Sequence, residues 1–140
     1  MLLKASELHV GYFHEQIVVD RLTRTQMVQY AGASGDYNPL HTDEVYAVQM
    51  AGYPSVIAHG MLTMGMVAHM VTDFVGDGRL TEFGGRFLRP VWPGDTLSAR
   101  GEVVNLWRFG DKSFVELALS AVNQDDAAVF AGRAEAIIDG

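Results

Sequence analysis

The stretch from Val56 to Val71, VIAHGMLTMGMVAHMV, is apolar on nearly every side if it is wound as a helix. Such a helix is stable only where protein covers it on most faces. Gly60 and Gly65 each cost about 1 kcal/mol relative to alanine inside a helix, a cost tolerated where backbone or ligand must come close. His59 and His69 interrupt the run, which also falls short of the roughly 20 residues needed to cross a bilayer. The expectation is a soluble protein with no membrane partner, in which this helix is buried under a sheet.

The second half supplies that sheet. Thr81 to Leu88 reads as a strand, with Gly84-Gly85 as a bulge or kink. After a turn at Pro90 to Asp95, the segments Thr96 to Trp107, Ser113 to Asn123 and Ala128 to Ile138 alternate in part with period two. Arg108 to Lys112 and Gln124 to Asp126 are the turns between them. Ahead of the helix, a turn at Val10-Gly11-Tyr12 leads into the β-branched run Gln16 to Val19, expected to be an edge strand. One early strand, one buried helix and four late strands make an α+β fold, an antiparallel sheet wrapped around a long central helix. At 140 residues the chain is expected to be one domain, 1–140, burying about two-thirds of its unfolded surface.

Between the first strand and the central helix, Thr23 is a good N-cap for a short amphipathic helix from Arg24 to Ala33. Met27, Val28, Tyr30 and Ala31 lie near one of its faces, and Gly32 or Gly35 ends it. A second short helix is expected to begin at Thr42, with Asp43 and Glu44 favourably placed in its first turn. Gly52-Tyr53-Pro54 ends that one.

The two helices flank Ser34-Gly35-Asp36-Tyr37-Asn38-Pro39-Leu40-His41. Pro39 pushes Asn38 into an extended conformation, and Gly35 allows an unusual φ just before the acid. Asp36 and His41, five apart, are therefore not neighbours on a helix face, where spacings of three or four are needed. They meet only if the loop folds back. An Asp and a His that converge can hold and deprotonate one water. Turn formation alone would also place Asp and Asn here.

The whole octapeptide resembles the signature loop of the MaoC-like, (R)-specific enoyl-thioester hydratases and dehydratases. Ile57-Ala58-His59-Gly60-Met61 is similar to that family's second motif, where the central helix begins. The resemblance implies a hotdog fold, with Asp36 and His41 as the catalytic pair and the Gly60 backbone N–H as donor to the thioester oxygen. Helix N-termini do present unpaired N–H groups and a positive dipole end; for Gly60 alone, close helix packing is the competing explanation. The reaction implied interconverts (R)-3-hydroxyacyl and trans-2-enoyl thioesters of coenzyme A or an acyl carrier protein. It needs no cofactor, because the thioester is the electron sink. Ile57 to Val67 with Val71 to Asp77 is similar to a narrower group, the B subunits of actinobacterial (3R)-hydroxyacyl-carrier-protein dehydratases. The likeness runs from about Tyr12 to Asp95.

Other residues are read beside these. Asn38 braces the loop or is simply a turn residue, and His59 hydrogen-bonds where the helix begins. His69 is a core or interface histidine, and His9 and His14 are solvated. No two histidines have the helical spacing of a zinc site, so no metal is expected. Arg86, Arg89 and Arg100 are exposed strand ends, or contacts for the phosphate of coenzyme A or of a carrier protein's phosphopantetheine. Met61, Met64, Met66 and Met70 fill core or line an acyl channel. Some family members carry a hydroxyl near the position of Ala68, which is absent here.

Ten Lys and Arg against seventeen Asp and Glu, net −7, argue against nucleic acid as a partner. There is no cysteine, hence no thiolate nucleophile and no disulfide, which fits a reducing, cytoplasmic setting. Lys4, Glu7 and His9 break any apolar run in Met1 to Val10, so no export signal is expected there. A curled sheet leaves open edges, which proteins cover or pair. A dimer is expected, either of two copies or with a second, related hotdog subunit. The competing functions are an acyl-thioesterase and a non-catalytic subunit that shapes the acyl channel for an active partner.

Overall fold

The computed structural model describes residues 3–140. The first two positions of the Met1 to Val10 segment lie outside the described residues. Strand β1 is Phe13–Val19, helix α1 Arg24–Ser34, helix α2 Gly60–Val75, and strands β2 to β5 are Leu80–Phe87, Leu97–Phe109, Lys112–Val122 and Ala128–Ile138. They form one antiparallel sheet in the order β1-β3-β4-β5-β2, so β1 is indeed an edge strand. Helix α2 packs against all five strands. This is the hotdog arrangement.

The period-two alternation does what it should. In β4, Val115, Leu117, Leu119 and Ala121 point inward and are buried, as are Ala134 and Ala136 of β5. They meet Val67, Met70, Val71 and Val75 of α2 in one core. Full burial of a Val or Met side chain stabilises by roughly 1.5–3 kcal/mol, so this stripe of α2 anchors the helix in the sheet. On the outer face, Arg133 of β5 bridges Glu82 of β2 and Glu116 of β4 on the neighbouring strands and Glu135 on its own. The hydrogen bond to Glu116, then the charges of Glu82 and Glu116 and the bond to Glu135, hold its guanidinium pKa above the ordinary value.

Several expectations need correction. Helix α2 begins at Gly60, not Val56. Val56 to His59 runs extended because its backbone is claimed by distant partners: Ile57 N–H donates to Leu40 C=O at 3.0 Å and Ala58 N–H to Val91 C=O at 2.8 Å. As expected, α2 is covered on most sides, though Met61, Gly65, His69 and Asp73, four apart, form one exposed stripe. Gly84-Gly85 is not a bulge, since the register shift lies between Leu80 and Glu82. Gly85 is needed for space instead, whereas a Cβ on Gly84 would meet nothing. A Cβ on Gly85 would strike the Phe130 ring, and one on Gly132 opposite would strike the Gly84 carbonyl. Val28 of α1 is exposed, leaving Met27 and Ala31 as its buried residues. The second short helix starts after Asp43, whose carboxylate accepts from Tyr46 N–H at 3.2 Å. Thr42 instead caps the C-terminal end of a 3-10 turn, Pro39–His41. Among the described residues, no helix is long and apolar enough to cross a membrane.

Candidate active site

The site is built where α1 stops. Thr23 and Gln26 form a reciprocal capping box at its start, and Gly35, with φ of 74°, closes it in the left-handed region that favours glycine. A chain of short-range bonds then shapes the loop. Ser34 Oγ accepts from Asp36 N–H at 3.2 Å, Asp36 Oδ1 from Asn38 N–H at 3.2 Å, and Asn38 Oδ1 from Leu40 N–H at 3.0 Å. The Asn38 side chain thus braces the loop through its neighbour's backbone. Pro39 opens the 3-10 turn that carries His41.

The loop folds back so that Asp36 Oδ2 lies 3.8 Å from His41 Nε2. His41 Nδ1 sits 2.6 Å from Ile57 C=O, and a carbonyl only accepts. Nδ1 therefore carries a proton, and in the neutral imidazole Nε2 turns a lone pair toward the carboxylate. Two acceptors at that distance do not bond each other. A molecule with two O–H donors satisfies both.

His59 enters in an unanticipated way. It is the N-cap of α2 and almost wholly buried. Its bond does not stay at the start of the helix: Nε2–H donates to the Asp36 backbone carbonyl, 23 residues back, at 3.0 Å. Its ring stacks on His41 with centroids 3.7 Å apart and planes 22° apart, and Tyr30 meets its edge at 4.9 Å. No local spacing in the sequence signals that contact.

Asp36, His41 and His59 each offer a donor atom, and these atoms lie within 4.8 Å of one another, a cluster that helical spacing could not reveal. The arrangement does not suit one metal ion. In two nearly parallel stacked rings the in-plane lone pairs lie in separate, nearly parallel planes, which keeps them from both aiming at one point.

Gly60 is the first residue of α2, so its N–H belongs to the helix's unpaired first turn. A Cβ there would come within 2.9 Å of the Phe87 ring, which lies flat against this glycine. Gly60 and Phe87 line two cavities at once. One, of about 490 Å³, is also bordered by Tyr30, Ser34, Asp36, His59 and Met61. The other, of about 300 Å³, runs beneath Ile57, Ala58, Val91 and Val129, with Arg89 at its border. His41 itself lines neither, and reaches the first through the Asp36 carboxylate.

Of the three arginines singled out, only Arg89 borders these cavities, and its Nη1–H donates to Ala128 C=O at 2.7 Å. Arg86 faces a separate hollow beside Gly84, Gly132 and Arg133. The Arg100 guanidinium lies 3.8 Å over the Phe13 ring and 3.4 Å from Glu102, away from the site. Among the methionines, Met61 borders the larger cavity, whereas Met70 is fully buried in the core.

A family model described as MaoC like domain matches residues 12–131. The chain belongs to the MaoC like domain family. One family relative, 3-hydroxyacyl-thioester dehydratase Y of Mycobacterium tuberculosis, is 39% identical over 88 residues, 61% of this chain and 30% of that protein. The chain spans no more than about a third of the length of the curated relatives it matches. Among solved structures, the unliganded R-hydratase PhaJ1 of Pseudomonas aeruginosa superposes with a TM-score of 0.82 at 30% identity, over 96% of this chain and 84% of that one. A hotdog fold is also shared with the HadBC (3R)-hydroxyacyl-ACP dehydratase complex of Mycobacterium tuberculosis. That match has a TM-score of 0.69 at 23% identity, covering 91% of this chain and 96% of the other.

Proposed function

We propose that this chain, as a single MaoC-like hotdog domain over 1–140, is a hydro-lyase that interconverts (R)-3-hydroxyacyl and trans-2-enoyl thioesters. The observation that carries the reading is the pair Asp36 Oδ2 and His41 Nε2, 3.8 Å apart, beside the first N–H groups of α2. In hydration a water gives one O–H to each of these acceptors, with its oxygen turned toward C3 of the enoyl group. As the C3–O bond forms, the pair takes the water's proton and the C2=C3 π electrons move toward the carbonyl as an enolate. A proton delivered to C2 from the same side completes the addition, and dehydration is the reverse. The Gly60 N–H donates to the enolate oxygen, where a fixed donor contributes about 3 kcal/mol to lowering the barrier. The relatives named as R-hydratase and 3-hydroxyacyl-thioester dehydratase support this assignment.

The substrate handle is coenzyme A or the phosphopantetheine of a carrier protein. The exposed stripe on α2 and the free edge of β2 support a dimer, of two copies or with a second hotdog subunit. That two-subunit dehydratases occur with this fold supports the second form. The test is direct. Purified chain added to crotonyl-CoA should lower the conjugated enoyl absorbance to an equilibrium value and produce (R)-3-hydroxybutyryl-CoA. Release of free thiol instead would identify a thioesterase, and no change at all would leave only a substrate-shaping role.

A further inference from the structure

The Phe87 ring stands between two cavities that differ in character. On one side are Asp36, Ser34 and His59, polar groups around the reacting atoms. On the other are Ile57, Ala58, Val91 and Val129, the last three almost wholly buried. Both spaces open onto Gly60, and three Phe87 ring atoms lie 2.9–3.1 Å from where a Cβ on Gly60 would stand. A residue with any side chain at position 60 would collide with the ring.

The ring is also loosely held for an aromatic of this size. Phe87 is the last residue of edge strand β2 and 48% exposed. Its aromatic neighbour is Phe130, 5.9 Å away at 51°. The backbone just beyond is fixed, with Leu88 N–H donating to Val129 C=O at 2.9 Å. The side chain can thus turn or be shortened without releasing the strand.

We infer that Phe87 is a partition that sets which acyl-chain lengths the site accepts, and that the smaller cavity behind it takes an apolar acyl tail. The inference rests on the thioester reading of the site. A thioester whose oxygen takes the Gly60 N–H presents C2 and C3 to Asp36 and His41. Its tail then has to continue past Gly60. On that side the ring is the only obstacle that the two cavities share besides Gly60 itself. Apart from Thr63 and Arg89 the lining beyond is apolar, which suits methylene groups and not a phosphate. Arg89, the one charged group at its border, already gives an N–H to Ala128 C=O.

The test uses binding of unreactive, saturated thioesters, so that it does not depend on turnover. Butyryl-CoA and decanoyl-CoA are titrated calorimetrically into wild type, Phe87→Ala, Phe87→Leu and Phe87→Trp. The expected result is a decanoyl-to-butyryl affinity ratio that rises tenfold or more in Phe87→Ala and falls in Phe87→Trp. If Phe87→Ala unfolds, Phe87→Leu carries the same expectation at a smaller amplitude. A ratio unchanged within twofold in the folded variants overturns the inference, even if both affinities drop together. So does failure of wild type and variants alike to bind either thioester. A chain that binds with the expected ratio yet never hydrates crotonyl-CoA would instead reject the hydro-lyase reading and leave the partition standing.

Discussion

The ring of His59 lies against that of His41, centroids 3.7 Å apart, while its Nε2–H holds the backbone carbonyl of Asp36 at 3.0 Å. One buried side chain at the start of α2 therefore touches both members of the proposed catalytic pair. Losing one hydrogen bond of this kind costs about 1 kcal/mol, and an orientation error adds to that. His59→Ala should lower kcat about tenfold or more with a smaller change in KM. His59→Gln, which keeps an N–H able to reach Asp36 C=O, should recover part of the loss. Equal kcat for wild type and His59→Ala would remove His59 from the machinery.

Gly60 is expected to act through its backbone and its lack of a side chain. Gly60→Val forces the Phe87 ring from its place against α2 and blocks approach to the N–H. Losing one such donor interaction is worth about 10²–10³ in kcat. Thermal unfolding should move much less than activity, since the ring that must give way is half exposed. A variant that keeps its activity would put the oxyanion donor elsewhere.

The core and the cavity wall should separate cleanly among the methionines. Met70 is fully buried in the sheet's embrace, and Met61 is 57% exposed. Met70→Ala should destabilise by about 2–5 kcal/mol in urea unfolding. Met61→Ala should stay within about 0.5 kcal/mol, while altering acyl-thioester affinity. The opposite ranking would mean that α2 is seated differently.

Much of this architecture is legible in the sequence. Thr23 announces the start of α1, Gly32 or Gly35 its end, and the alternating runs from Thr96 to Ile138 read as antiparallel strands. What stayed hidden depends on contacts distant in sequence. Val56 to His59 has a composition that suits a helix, but Leu40 and Val91 hold its backbone extended. Gly84-Gly85 looks like a bulge until the Phe130 ring is seen over it. Asp36 and His41 could be paired from their shared loop. His59, which touches both, and Phe87, which divides the cavities, carry no spacing that would reveal them.

Association should be visible in solution. The stripe Met61, Gly65 and His69 on α2 lacks cover within one chain, and β2 has a free edge. Sedimentation of the purified chain at micromolar concentration should show a species larger than 15.3 kDa. Gly65→Glu, exposed and remote from Asp36, should reduce it. A fully active species of 15.3 kDa alone would show that no second subunit is needed.

The central claim is that Asp36 and His41 act as one unit on one water. It is tested most directly by crotonyl-CoA hydration with wild type, Asp36→Asn, His41→Ala and the double variant. Asparagine still offers an oxygen to the Asn38 N–H, so the loop should keep its shape while the carboxylate is lost. Each single change should cut kcat by about 10²–10⁴. The double variant should be little worse than either single one, because neither residue works without the other. Near-wild-type turnover by either folded single variant, or losses that multiply in the double, would contradict the account.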